Sequence, residues 1–178
     1  MTRYLFLLLS MTLFLSHHPA WGAETPCPET DVYLRTEQFH GDACTGQLIG
    51  IRLALAAKEA LQKSGVTGKL KAKYYALNCA VDGIQVAAGT TIGNRSLEVI
   101  DKKDNRLELA DKDGKHAVEA RLTKLAADKS KTSLELKKQM KALPADSERM
   151  QQVQKELEAI STWFRTATTA EVVTVRQR

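Results

Sequence analysis

The chain has 178 residues, with 26 Lys or Arg against 21 Asp or Glu, a formal net charge of +5 and only 6% aromatic residues. The charges alternate in sign, as in "DKKDNRLELADKDGK", so no single-sign arm forms, and sparse aromatics without a recognition module argue against a nucleic-acid partner. The length suits one domain with a real core.

The chain begins "MTRYLFLLLSMTLFLSHHPAWGAETP". One Arg precedes an apolar run from Tyr4 to Leu15, and small residues follow at Ala20, Gly22 and Ala23. That order is a secretory signal with cleavage after Gly22. The run falls short of the ~20 residues that span a bilayer, so no membrane segment is expected after cleavage. Residues 1–22 are read as the signal peptide, 23–123 as an α+β domain and 124–178 as a helical hairpin, in a periplasmic or secreted protein.

Residues 24–38 read as an irregular lead-in. "GQLIGIRLALAAKEALQKSG" carries Leu48, Ile51, Leu55 and Leu61 with alanines between them and a stop at Gly65, a largely buried helix. "GKLKAKYYAL" alternates, placing Leu70, Ala72, Tyr74 and Ala76 on one strand face. In "CAVDGIQVAAG" the period changes, and Ala80, Ile84 and Ala87 suggest a short helix ended by Gly89. "SLEVI", "RLELAD" and "KHAVEARLT" follow, joined by Asp/Asn/Gly turns, and predict an antiparallel meander. Thr132 to Glu135 reads as a capping box opening a helix. After Pro144, Met150, Val153, Leu157, Ile160 and Phe164 recur at spacings of three and four, the seam of a coiled coil. This seam needs cover from its own hairpin, its own domain, a second copy or a protein partner. "EVVTVRQR" is either a last strand or a loose terminus.

Three cysteines remain after cleavage: Cys27, Cys44 and Cys79. In an oxidising compartment an odd count leaves one unpaired unless a metal holds it. In "FHGDACTGQLIG" a His, an Asp and a Cys fall within five residues. Imidazole nitrogen and thiolate sulfur both suit zinc and related ions. Cys79 is a natural third ligand, because a helix N-terminus favours the thiolate. Spacing alone leaves open a metal site on His40, Cys44 and Cys79, a Cys44–Cys79 disulfide, or two buried thiols. Asp82 fits either a helix terminus or a partner for a ligand. His116 reads as a turn or surface histidine.

"FHGDACTGQLIGIRLALAA" resembles the opening motif of the formylmethanofuran dehydrogenase E-subunit family, roughly His-Gly-His-x-Cys-x-Gly before a buried helix. A second block, "NCAVDGIQVAAGTTIGNRSL", places Cys79, Asp82, Gln85, Gly89, Thr91 and Gly93 in register, and Gly114 to Ala117 resembles the family's Gly-Lys-His-Ala. These blocks run from Phe39 to about Leu122. The resemblance implies an α+β fold, a mostly antiparallel sheet with helices on one face, similar to the C-terminal domain of glyceraldehyde-3-phosphate dehydrogenase. It also implies a bound zinc or similar transition-metal ion on His40, Cys44 and Cys79, with Asp42 and His116 as lesser candidates. The family's second His is Asp42 here, the Cys of its Gly-Cys-Thr run is Thr90, and the Lys that commonly follows Gly93 is Asn94.

Three functions compete. The first is an exported protein that holds, senses or delivers a metal ion or metal-containing ligand. The second is a metal-dependent, hydrolase-type enzyme using an open coordination position. The third is a partner-binding protein, with a homodimer or another chain at the C-terminal helices and a Cys44–Cys79 disulfide.

Overall fold

A computed structural model describes residues 29–42 and 44–178. The expected signal peptide and Cys27 lie outside the described residues.

The sheet has five strands in the order β2-β1-β3-β4-β5: β1 Leu70–Tyr74, β2 Leu97–Val99, β3 Arg106–Asp111, β4 Ala117–Leu122 and β5 Val173–Gln177. Its alternation has a clear cause. Ala72, Tyr74, Leu107, Leu109, Val118 and Ala120 are buried, and the register sets Tyr74 beside Leu107, Leu109 beside Val118 and Ala120 beside Val175. Cross-strand pairs on one face therefore build one apolar wall. The opposite face carries Arg106, Glu119 and Arg121, linked by Arg121 Nε donating to Glu119 at 2.7 Å. The architecture is the α+β arrangement expected, a mostly antiparallel sheet with helices on the apolar face.

Helix α2, Thr45–Lys63, lies against β3, β4 and β5. Leu48, Ile51, Leu53, Ala54, Ala57 and Leu61 are all at most 1% exposed, so this helix is the centre of the core. Helix α3, Ala80–Ala88, packs across it. Gly89 ends α3 at φ +69, a left-handed position that a Cβ disfavours. Helix α1, Glu29–His40, rests on α3 and α2; the irregular lead-in expected there is helical up to His40.

Two further expectations are corrected. "SLEVI" forms β2, but it pairs parallel to β1 at the sheet edge, Ala72 beside Leu97. Helix α3 lies between the two strands, and a crossover helix returns the chain in the same direction. Only β3, β4 and their neighbours pair antiparallel. The second correction concerns the helix after β4, which starts earlier than expected. Helix α4, Lys124–Met140, is capped by Thr123, whose hydroxyl accepts from the Ala126 amide. Thr132 lies mid-helix and donates to the Asp128 carbonyl. Nothing in "KLAADKSK" breaks a helix, so the earlier cap prevails.

Helix α5, Glu148–Thr166, is capped by Ser147. Its seam is covered by its own domain: Val153, Ile160 and Phe164 belong to the main core, with Leu157 partly buried against it. After a short α6, Thr169–Val172, the chain returns to the sheet as β5, Leu122 beside Val173. The last segment is thus a strand. No described helix is long and apolar enough to cross a membrane.

Candidate metal centre

His40 is the last residue of α1. Gly41 follows at φ +98 and its amide still reaches the Glu37 carbonyl at 2.8 Å, so the helix ends in a left-handed glycine turn. Shortly after, the backbone is extended at Cys44, the N-cap of α2, and its side chain makes no cap hydrogen bond. The Cys44 sulfur is therefore free for other work. Gln47, 1% exposed, donates through Nε2 to the Asp42 carbonyl at 2.8 Å and ties the end of α1 to the first turn of α2.

Cys79 immediately precedes α3. Asn78 supplies the cap instead, its Oδ1 accepting from the Ala80 amide at 3.0 Å, which again leaves the sulfur unspent. Cys44 and Cys79 meet because α2 and α3 cross with almost no side chain between their backbones. A Cβ on Gly50 would come within 2.0 Å of the Ala80 carbonyl oxygen, and one on Gly83 within 2.2 Å of the Gln47 carbonyl oxygen. A Cβ on Gly46 would stand 2.9 Å from Cys79 Cβ.

One ligand atom each from His40, Cys44 and Cys79 lies within 4.8 Å of the others. Cys44 is 5% exposed, and both cysteines are free thiols. Cys44 Sγ stands 3.5 Å from His40 Nε2. On a tetrahedral zinc, Zn–S of ~2.3 Å and Zn–N of ~2.05 Å place sulfur and nitrogen about 3.6 Å apart. The observed spacing therefore fits a shared ion. The other imidazole nitrogen, Nδ1, lies 2.6 Å from Asp82 Oδ2. An ionised carboxylate only accepts, so Nδ1 donates to it, and in a neutral ring Nε2 would then hold the lone pair that faces the Cys44 sulfur. Asp82 also sits in the first turn of α3, so the helix-terminus position and the contact with His40 belong to one side chain.

The remaining candidates differ. Asp42 Oδ1 lies 3.4 Å from His40 Nε2, and its side chain is 76% exposed. His116 is exposed in the β3–β4 turn, bound through its backbone to Asp111, and lies outside the group of three. The thiolate expected at the α3 N-terminus is opposed here. Burial pushes the Cys79 thiol up, and the neighbouring Cys44 adds to the rise.

Two cavities flank the sulfurs. One of about 600 Å³ is lined by Cys44, Met140, Leu157 and Ser161, among others. A smaller one of about 100 Å³ is lined by Cys79, Asn78, Asn105 and Leu134, among others. Thr45 and Lys137 line both. A hydroxyl chain links α2, α4 and α5 here: Ser133 Oγ donates to Thr45 Oγ1 at 2.9 Å, and Thr45 Oγ1 lies 3.3 Å from Ser161 Oγ. The sequence pattern does not single out these tail residues. Their only signal is the i, i+4 spacing of Lys137 and Lys141, which equally suits a solvated face.

Residues 39–174 match the family model described as "FmdE, Molybdenum formylmethanofuran dehydrogenase operon". The match runs through α4 and α5, beyond the three sequence blocks. A solved structure, a tungsten formylmethanofuran dehydrogenase FmdE-like protein from Syntrophus aciditrophicus, aligns with a TM-score of 0.54 at 22% identity, covering 84% of this chain and 71% of that one. It shows a shared fold. A relative named "Probable S-adenosyl-L-methionine-binding protein", from Archaeoglobus fulgidus, is 35% identical over 85 residues, 45% of this chain and 23% of its own length. The match thus spans under a quarter of that relative.

Proposed function

This chain belongs to the FmdE family, and on that premise we propose that it is an exported protein that holds a transition-metal ion, zinc or a near neighbour, on His40, Cys44 and Cys79. The observation that carries the reading is the 3.5 Å spacing of Cys44 Sγ and His40 Nε2, with Nδ1 of the same ring tied to Asp82. A carboxylate behind a ligating imidazole orients the ring and raises its basicity. Three protein ligands leave a fourth position open, which suits a protein that senses an ion, hands it on, or presents it to a second ligand. A bound ion would supply Lewis acidity there and hold both sulfurs as thiolates. Export rests on residues 1–22 and predicts a mature N-terminus at Ala23 by N-terminal sequencing.

Elemental analysis of the purified protein, followed by titration of metal-free protein with zinc, cobalt, nickel and copper, tests the reading. About one equivalent, bound with micromolar or tighter affinity and lost in Cys79→Ser, is the expected result. A protein that arrives without metal and takes none up removes the proposal. A second reading, metal-dependent hydrolysis, is favoured by the cavity beside Cys44. It requires ester or amide turnover that chelation abolishes.

A further inference from the structure

Lys137 stands on the last turn of α4, half-buried, and lines both cavities that flank the cysteine sulfurs. Among the described residues no carboxylate lies within ion-pair distance of its ammonium; α4's other ion pairs are Lys124–Asp128 and Lys138–Glu135. A helix C-terminus favours a lysine, but that preference is met equally by exposed Lys138 and does not explain a half-buried cation. Lys141, one turn on, lines the larger cavity too, and like charges at i, i+4 repel. Two cations thus line one cavity, and neither is in an ion pair among the described residues.

The larger cavity, about 600 Å³, is the size of a small-molecule site. Met140 and Leu157 supply apolar wall, and Ser161 supplies a hydroxyl. Asp42 and Glu158 also line it, but both are exposed, where water and salt screen their charge. Lys137 is the less solvated charge and so the stronger one toward an occupant.

We propose that this cavity, whose wall includes Cys44, binds a small organic anion, its apolar body against Met140 and Leu157 and its anionic group on Lys137. The ligand's position beside an ion rests on the metal reading; the anion subsite itself does not. A ligand with a second donor atom would then reach the open coordination position while Lys137 holds its charged end.

The test separates these two layers. On metal-free protein, hexanoate and its neutral counterpart 1-hexanol are titrated calorimetrically. Hexanoate binds about tenfold more tightly, the preference shrinks as salt is raised, and Lys137→Met abolishes the difference between the two probes. Equal binding of the two probes, saturable binding of neither, or a preference that survives in Lys137→Met overturns the subsite. Should Lys137→Met fail to fold, Lys137→Gln and the salt dependence of the wild-type preference decide in its place. On cobalt-loaded protein, 6-mercaptohexanoate alters the visible cobalt bands at lower concentration than 6-mercaptohexanol does, and Lys137→Met equalises the two. A protein that shows no cobalt bands and takes up no zinc, nickel or copper ends the metal reading, and the hexanoate comparison still decides the subsite.

Discussion

Asp82 favours the α3 N-terminus and accepts the Nδ1 proton of His40 at 2.6 Å. Asp82→Asn keeps the side chain's shape and removes its charge. It is expected to weaken metal binding about 10- to 100-fold, measured by competition with a chromogenic chelator, while the melting temperature of metal-free protein changes little because the pair is partly exposed. A fold-wide loss of stability with unchanged metal affinity would contradict this. Tyr74 is a different case. It is fully buried, its hydroxyl donates to Asn105 Oδ1 at 2.6 Å, and burial raises its pKa well above the ordinary value near 10. The folded phenol stays neutral where the unfolded one ionises. That contribution is present below about pH 10 and is lost as pH rises beyond it. Melting temperatures between pH 8 and 11 should therefore fall steeply above 10 in the wild type and less steeply in Tyr74→Phe, which itself costs about 1 kcal/mol at neutral pH.

At the scale of elements, the crossing of α2 and α3 brings the two sulfurs together, and glycine makes it possible. Gly50→Ala would set a methyl 2.0 Å from the Ala80 carbonyl oxygen. The clash is with backbone, so the helices must part. The expected cost is about 1–3 kcal/mol, with a drop in metal affinity because Cys79 moves away from Cys44; thermal unfolding and metal titration read the two effects separately. Gly65→Ala, with nothing within 4 Å but φ +82, would lower stability without touching the metal. Much of this layer is legible in the sequence. The apolar period of α2, the Gly89 stop of α3 and the alternation of β3 and β4 are local signals, and each element stands where its pattern put it. The pairing of β2 is not legible, because "SLEVI" looks the same whichever neighbour it joins and only the intervening helix sets its direction. Helix α1 is hidden because its apolar residues, such as Tyr33 and Leu34, show no clean stripe. At the site, the candidate ligand types and their order are readable from "FHGDAC" and "NCAVD". The cavity is not, since Lys137, Met140 and Leu157 arrive from a segment far along the chain whose spacing says only that it is helical.

Taken whole, the molecule has one large core and a site at the meeting of three helices that are differently anchored. Helix α2 is buried along its length against the sheet. Helix α3 is locked to it by Gly50 and Gly83. Helix α1 has less hold: Tyr33 and Thr36 are buried, Glu37 pairs with Arg165 at 3.4 Å with both side chains partly exposed, and the Arg165 guanidinium lies 5.5 Å from the Tyr33 ring. Surface pairs of that kind add at most about 1 kcal/mol. Yet α1 carries His40. An ion shared by His40, Cys44 and Cys79 would therefore tie the least anchored helix to the two best anchored ones. Ligand binding to the folded state alone stabilises it by about 2.7 kcal/mol at a hundredfold excess over Kd, and here that energy should be spread unevenly. Hydrogen exchange measured with and without zinc is expected to show the largest gain in protection along 32–41, a smaller gain at the first turns of α2 and α3, and none in β3 or β4. A uniform gain across the sheet, or none in α1, would mean that His40 does not share an ion with the two sulfurs.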